Sequence, residues 1–317
     1  MRISIITPAP ARSRRGNRWT ALRWARMLRD LGHRVAIEEK YSGRSCAVLV
    51  ALHARRSYPS IVRFRREHPE TPLIVALTGT DLYGDIRWNR QALRSIEMAT
   101  RLIVLQPLGV RELPARIRSR VRVIVQSAER PRGRIRPSKR VFEVCVMGHL
   151  RPVKDPFRAA RAARRLPQSS KVRIVHIGGA LSSRMERIAK SEMRSNPRYH
   201  WRGELSRGEA LRVLARSRVH VLSSRAEGGA NALSEAIACE VPTLASRIPG
   251  SVGILGADYP GYFPAGDTDA LAGLLRRAET DTKFAGRLRS ACKRLQPLVK
   301  PAREREAWRM LLAECAA

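Results

Sequence analysis

The stretch Ser223-Ser224-Arg225-Ala226-Glu227-Gly228-Gly229-Ala230-Asn231-Ala232-Leu233-Ser234-Glu235-Ala236-Ile237-Ala238-Cys239 decides how the chain is read. Before it stands Val219 to Leu222, an aliphatic run with the length of a buried strand. A glycine loop follows, and Ala232 to Cys239 then carries helical spacing. Strand, glycine loop and helix N-terminus in that order form the place where open α/β sheets bind ligands, phosphates above all. Glu227 falls in the loop and Glu235 one to two turns into the helix. The two carboxylates can therefore accept hydrogen bonds from hydroxyls on different parts of one extended ligand. Two such glutamates on a plain solvated helix would mean little. Gly228-Gly229 between them and the apolar run Pro242 to Ala245 behind them set this pair apart.

Outward from this stretch the same alternation recurs. Strands are expected at Arg2 to Ile6, Arg34 to Ile37, Cys46 to Leu52, Leu73 to Leu77, Leu102 to Leu105 and Val121 to Val125. Helices are expected at Trp19 to Leu31, Tyr58 to Glu67, Gln91 to Ala99 and Gly109 to Ile117. Residues 127–140 break the pattern with proline, glycine and charge, as a linker does. A second series follows, with strands at Phe142 to Met147, Val172 to Ile177, His200 to Arg202, Val219 to Leu222 and Pro242 to Ala245. Helices at Pro156 to Arg165, Ser206 to Ala215 and Ala232 to Cys239 lie between them. The reading is α/β, with two doubly wound domains over 1–138 and 139–300 and a terminal helix over 301–317 that packs back on the first.

Composition removes several classes of function. With 44% hydrophobic residues among 317, each half can bury a core. No run reaches the roughly 18 apolar residues of a membrane span, and Met1 to Thr7 is too short for a signal-peptide core. A cytoplasmic protein without integral membrane association is expected. The five cysteines and seven histidines show no C-x-x-C or H-x-x-x-H spacing, so no metal is expected. The net charge of +35 has two readings that are compatible: arginine-rich solvated faces, or an electropositive site for anionic substrates such as diphosphates. Aromatics at 5% leave few platforms for stacking bases, and no nucleic-acid partner is expected.

Two further loops carry polar groups. Pro8 to Asn17 lies between the first strand and its helix, with Arg12, Arg14 and Arg15 placed to neutralise a small anion. Gly16 permits close backbone approach there, and Asn17 and Thr20 offer hydrogen bonds. After the strand Leu73 to Leu77, Thr78-Gly79-Thr80-Asp81 puts Thr80 and Asp81 either against a substrate or in a capped turn. In Asp267-Thr268-Asp269, Asp269 is expected as a cap or first-turn acid.

These residues resemble the retaining glycosyltransferases of family four, whose Ser-x-x-x-Glu-Gly-x6-Glu-Ala-x-Ala-Cys motif is matched by Ser223 through Cys239. The resemblance implies the GT-B fold, two Rossmann-like domains facing a central cleft. It implies a nucleotide-sugar donor, with Glu227 facing the sugar and Glu235 the ribose. Gly148-His149-Leu150-Arg151-Pro152-Val153-Lys154 resembles the family's diphosphate clamp, with His149 standing where the family has arginine and Lys154 as the catalytic cation. Either Arg151 or Arg225 then supplies the second charge, or the clamp is weaker. His176 to Gly179 and Trp201 to Leu205 resemble the segments that enclose the base, through Gly178 and Gly203. Gly228, Gly229, Ala230 and Asn231 complete the donor set, with Gly16 and Asn17 beside it. Thr78 stands where the family often has histidine.

Within that family, His53 to Ser57, Ala76 to Tyr83 and Ser224 to Asn231 are similar to the selenosugar synthases of selenoneine biosynthesis. That likeness implies transfer from a UDP-sugar, UDP-N-acetylglucosamine foremost, to selenophosphate, with no cofactor. It assigns Arg12, Arg14, Arg15, Arg55 and Arg56 to the acceptor anion, and Lys154, Glu227, Asp81 and Thr80 to catalysis. It also implies functional coupling to an enzyme that produces selenophosphate. An ordinary hydroxyl acceptor is the other reading.

Overall fold

The structure is a computed structural model, and it describes residues 1–13 and 16–316. In chain order the first elements are β1 (Arg2–Ile6), α1 (Gly16–Asp30), β2 (Arg34–Glu38), β3 (Val48–Leu52) and α2 (Tyr58–Glu67). β4 (Leu73–Leu77), α3 (Ile86–Trp88), α4 (Arg90–Met98), β5 (Arg101–Val104) and β6 (Val121–Val123) follow. Next come β7 (Phe142–Met147), α5 (Arg158–Arg164), β8 (Val172–Ile177), α6 (Ser183–Ser195), β9 (Tyr199–Trp201), α7 (Arg207–Arg216) and β10 (Val219–Leu222). The chain closes with α8 (Asn231–Ala238), β11 (Thr243–Ser246), α9 (Pro249–Leu255), β12 (Tyr262–Phe263), α10 (Thr268–Thr280), α11 (Thr282–Leu295) and α12 (Pro301–Ala316).

These elements form two compact units. One holds Met1–Gln126, Glu227–Gly229 and the segment from Pro301; the other holds Ser127–Ala226 and Ala230–Lys300. The first unit thus ends at Gln126, and the irregular stretch 127–138 goes with the second.

The first unit's sheet is wholly parallel, in the order β2-β1-β3-β4-β5-β6. Its central strands β3 and β4 read as unbroken aliphatic runs because both their faces are covered. Along β3, Val48, Val50 and Leu52 join one core with Trp24 and Leu28 of α1 and Trp308, Leu311 and Leu312 of α12. Leu49 and Ala51 point the other way, into a core with Ile61 and Phe64 of α2 and Ile96 of α4. The side-chain period of two thus feeds both layers from one strand. Trp24 and Trp308 are fully buried and meet edge to face at 4.9 Å. Glu304 of α12 accepts the Trp24 indole N–H at 2.7 Å and pairs with Arg23 Nε at 3.1 Å.

The helix expected over Gly109 to Ile117 does not form. Two 3-10 turns, Pro107–Glu112 and Ala115–Arg120, replace it. Pro114 forces the preceding Leu113 to extended backbone, ψ 148°, which stops an α-helix there.

In the second unit the order is β12-β11-β10-β7-β8-β9, again all parallel. Read from β9, it is the doubly wound order in which the connections reverse direction between β7 and β10. Cys145, Val175 and Ile177 of this sheet pack against Leu211 and Leu214 of α7 and Ala236 of α8. Asp267 caps α10 by accepting from Ala270 N at 2.9 Å, and Asp269 is its first-turn acid, paired with Arg165. Among the described residues no helix is long and apolar enough to cross a membrane.

Candidate functional site

In the second unit the reversal point places the loops after β7 and β10 side by side, since those two strands are hydrogen-bonded neighbours. The first loop carries Gly148 to Asp155 and the second, within this unit, Ser223 to Ala226. They are tied to each other. Arg225 N–H donates to Val153 O at 2.8 Å, and Ser223 Oγ donates to Lys154 O at 3.1 Å and Asp155 O at 3.0 Å. Ser246 Oγ holds the second loop from β11, donating to Ser224 O at 2.5 Å. Lys154 and Arg225, far apart in sequence, are thereby brought together.

Behind Lys154, Asp155 adopts a left-handed backbone, φ 43°, and its carboxylate pairs with Arg158 Nε and Nη2 at 2.8 Å. Arg158 is itself buried and donates to Thr268 Oγ1 at 2.6 Å, so the turn that presents Lys154 is anchored to α10. Sequence reasoning missed Asp155 and Arg158 as supports. Their three-residue spacing was visible, but not the partner on α10.

His149, Gly178 and Gly179 form a second anchored set. His149 Nδ1 accepts the Gly179 N–H at 3.1 Å, and Leu150 N–H donates to Gly179 O at 3.0 Å. Gly178, φ 149°, lies so close to β7 that an added Cβ would stand 2.0 Å from Gly148 O. Its N–H donates to Gly203 O at 2.8 Å, and its carbonyl accepts from Trp201 Nε1 at 2.7 Å. Beneath them His176 is fully buried. Its Nε2–H donates to Gly148 O at 3.1 Å, so Nδ1 accepts the Tyr199 hydroxyl at 2.9 Å. Burial pulls the His176 pKa down to about 4, against the smaller opposing effect of the Gly148 carbonyl. The ring is neutral at neutral pH, and its tautomer is fixed by the network.

Glu235, 9% exposed on α8, pairs with Arg207 Nη2 of α7 at 3.1 Å. Ala230, the N-cap of α8, has no side-chain oxygen to offer the first-turn amides. Asn231 opens the helix and is half-buried. Arg151 is also half-buried, whereas Arg225 is exposed. A cavity of about 310 Å³ at the opposite end of this sheet is lined by Phe142, Lys171, Arg218, Val219, Glu279 and Arg289. None of the expected site residues lines it.

Glu227, Gly228 and Gly229 belong to the first unit. Glu227 is buried at 7% exposure. A Cβ on Gly228 would stand 2.6 Å from Gly79 N, and one on Gly229 2.4 Å from Leu105 Cβ. Only glycine lets this segment lie against the ends of β4 and β5.

In the first unit the connections reverse between β1 and β3, and the loops after these strands carry the expected acceptor arginines. Arg12 is exposed in the loop after β1. Arg14 and Arg15 lie outside the described residues. Gly16 and Asn17 are in the first turn of α1 rather than in a loop, and Thr20 is buried, accepting from Gln126 Nε2 at 2.7 Å. Arg55 and Arg56 are exposed after β3, with Arg55 Nε 3.0 Å from Asp85 Oδ2. Asp81 is fully buried. Its Oδ2 accepts Ala54 N–H at 3.0 Å and its Oδ1 accepts Gly79 N–H at 2.8 Å. The geometry makes Asp81 a positioning residue that joins the loops after β3 and β4. Thr80 is half-buried at the start of a π-turn over Asp81–Asp85. Among the described residues no three His, Cys, Asp or Glu side chains are grouped to hold a metal ion.

The family model described as glycosyl transferases group 1 matches residues 128–295, more than half of the chain. No curated protein matches it. Among solved structures, Anabaena Alr3699/HepE in complex with UDP-glucose has a TM-score of 0.79 at 13% identity, over 99% of this chain and 100% of that one. Sucrose-phosphate synthase from Thermosynechococcus elongatus has a TM-score of 0.77 at 14% identity, over 99% of each chain. The pneumococcal O-GlcNAc transferase GtfA in complex with UDP and GlcNAc has a TM-score of 0.65 at 14% identity, over 85% of this chain and 57% of that one. At such identities the likeness shows the fold, which is GT-B.

Proposed function

The chain belongs to the glycosyl transferases group 1 family, and on that premise we propose that it moves the sugar of a UDP-sugar, UDP-N-acetylglucosamine foremost, to selenophosphate. The observation that carries the donor half is the pair of cross-tied loops, Gly148 to Asp155 and Ser223 to Arg225, at the reversal point of the second sheet. A leaving nucleoside diphosphate gains negative charge as its bond to the sugar breaks. A cation on an anchored turn, Lys154, stabilises that charge more in the transition state than in the ground state. UDP-glucose bound to HepE and UDP bound to GtfA support a uridine donor.

The acceptor half rests on Arg12, Arg55 and Arg56 along the loops after β1 and β3, which suit a compact anion, and on Thr78. Threonine takes no proton at neutral pH, and selenophosphate needs none removed because its selenium is already ionised. A selenium lone pair forms the bond to the sugar's anomeric carbon, and the bonding pair to UDP leaves with the β-phosphate oxygen. Water then adds to phosphorus, the P–Se bond breaks, and phosphate and the 1-seleno-sugar separate. A labile acceptor of this kind suits coupling to an enzyme that produces selenophosphate.

The test is anaerobic incubation with UDP-N-acetylglucosamine and freshly generated selenophosphate, read by mass spectrometry beside UDP release. A sugar with a selenium isotope pattern that requires both substrates is the expected result. UDP-sugar binding without that product would move the acceptor to a hydroxyl compound. No donor binding at all would remove Glu227, Glu235 and Lys154 from the site.

A further inference from the structure

Three described non-glycine residues have positive φ: His53 at 73°, Asp155 at 43° and Glu240 at 60°. Asp155 closes a 3-10 turn and Glu240 follows the end of α8, where a left-handed residue is ordinary. His53 instead follows directly on the buried strand β3, and strain at such a place is a pointer to function.

The His53 ring is buried, with 5% of the side chain exposed. Nδ1 accepts Arg56 N–H at 3.4 Å, which leaves the ring proton of the neutral form on Nε2. That Nε2 is buried and has no hydrogen-bond partner among the described residues. Asp85 Oδ2 stands 4.0 Å from it, beyond hydrogen-bonding range. A second orphan lies one strand away. Thr78 directly follows β4, β4 pairs with β3, and Thr78 Oγ1 is likewise buried without a partner. His53 N–H donates to Ala76 O at 2.8 Å, which ties the two strand ends together. Buried donors are nearly always satisfied, so two orphans at adjacent strand ends mark an incomplete set.

The surrounding charges say what completes it. Asp81 Oδ2, 3.8 Å from Nδ1, is occupied by Ala54 N–H, and Asp85 is paired with Arg55. Arg56, next to the ring along the chain, is exposed. Asp81 is thus engaged, and Asp85, whose Oδ2 makes no hydrogen bond among the described residues, has its charge met by Arg55; two donors and a cation remain to meet an acceptor oxygen. We propose that His53 Nε2 and Thr78 Oγ1 together bind an oxygen of a phosphate-class oxyanion, the acceptor of the transfer reaction, with Arg56 supplying charge. This rests on the reading of an anionic acceptor given above, and it places a histidine one strand over from the position that Thr78 occupies.

Inorganic phosphate is the probe, and the imidazole resonances of the full chain are the readout. Burial lowers the His53 pKa, opposed by Asp81 and Asp85 and reinforced by Arg56 and Arg55. Bound phosphate should raise its titration midpoint by roughly one pH unit while that of His200 stays put. His53→Gly removes the ring at a φ that glycine adopts freely, and Thr78→Val removes the hydroxyl at similar volume. Each should weaken phosphate binding about tenfold, and His53→Gln, which restores an N–H donor, should recover part of the loss. UDP affinity, read in the same samples, should hold. A His53 signal indifferent to phosphate, equal shifts in all histidines, or wild-type phosphate affinity in both variants would overturn the proposal. Phosphate binding through His53 with no seleno-sugar formed would sink the selenium reading and leave this one standing. A seleno-sugar made by His53→Gly at the wild-type KM for selenophosphate would do the reverse.

Discussion

Replacing Gly178 by alanine probes the geometry on which the proposed donor site depends. The new Cβ would lie 2.0 Å from Gly148 O, 2.4 Å from Gly148 C and 2.8 Å from His149 N. All three are backbone atoms, so no side chain can turn aside. Ordinary carbon–oxygen contacts begin at about 3.3 Å, and the strand ends must therefore part by roughly 1 Å. They are tied by Gly148 N–H to Ile177 O at 2.8 Å and Leu150 N–H to Gly179 O at 3.0 Å, so parting strains those bonds and carries His149 with it. Overpacking costs about 1–3 kcal/mol and a glycine-only backbone about as much again, giving about 4 kcal/mol in all. For a unit of this size that lowers Tm by roughly 8–16 °C. A 1 Å shift of the loop bearing His149 and Lys154 should weaken UDP binding about 100-fold. Gly203→Ala is the control. Gly203 has φ 65°, but its Cβ would meet nothing within 4 Å, so it should cost about 1 kcal/mol and leave affinity within about threefold. Differential scanning calorimetry and titration calorimetry with UDP read both effects. If Gly178→Ala binds UDP like wild type, or if the two variants behave alike, the argument from close approach is wrong.

Three further outcomes follow from the same geometry. Lys154→Ala and Glu227→Ala should each lower kcat by about 100- to 1000-fold with an unchanged circular-dichroism spectrum, and wild-type turnover in either would remove that residue from the site. Burial holds His176 at about 4 and His220 at about 3, below the ordinary 6.5, so the unfolded chain takes up protons that the fold refuses. Stability should be unaffected above pH 7 and fall as pH drops from 6.5 towards 4, by on the order of 3 kcal/mol per ring. Urea unfolding of His220→Leu should show a shallower acid slope than wild type, and equal slopes would count against burial as the cause. Glu304→Leu strips Trp24 and Arg23 of their shared buried acceptor and should cost about 3 kcal/mol, seen as a lower urea midpoint; an unmoved midpoint would refute it.

Much of the scaffold was legible because its signals are local. Phe142 to Met147, Val172 to Ile177, Leu73 to Leu77 and Tyr58 to Glu67 form with the bounds read from periodicity alone. Doubly covered parallel strands must be continuously apolar, and a one-sided helix must repeat at 3.6 residues. The glycine loops after β7 and β10 were legible for the same reason, since glycine after a buried strand is a local mark. The helix expected over Gly109 to Ile117 fails because Pro114 holds Leu113 extended, whatever the apolar spacing around it.

What the sequence alone determined is therefore the list of parts: α/β alternation, an irregular stretch over 127–140, the glycine loops, and which strand ends bear charge. Tertiary structure alone decided their assembly. It put β7 beside β10 and β1 beside β3, and so made neighbours of loops about 70 and 40 residues apart. It bound Asp81 to two amides, placed Glu227–Gly229 and α12 with the first unit, and left His53 Nε2 and Thr78 Oγ1 without hydrogen-bond partners among the described residues. The physical reason is range. Backbone periodicity is written in adjacent residues, whereas strand order and the partner of a buried polar atom depend on which distant surfaces pack together.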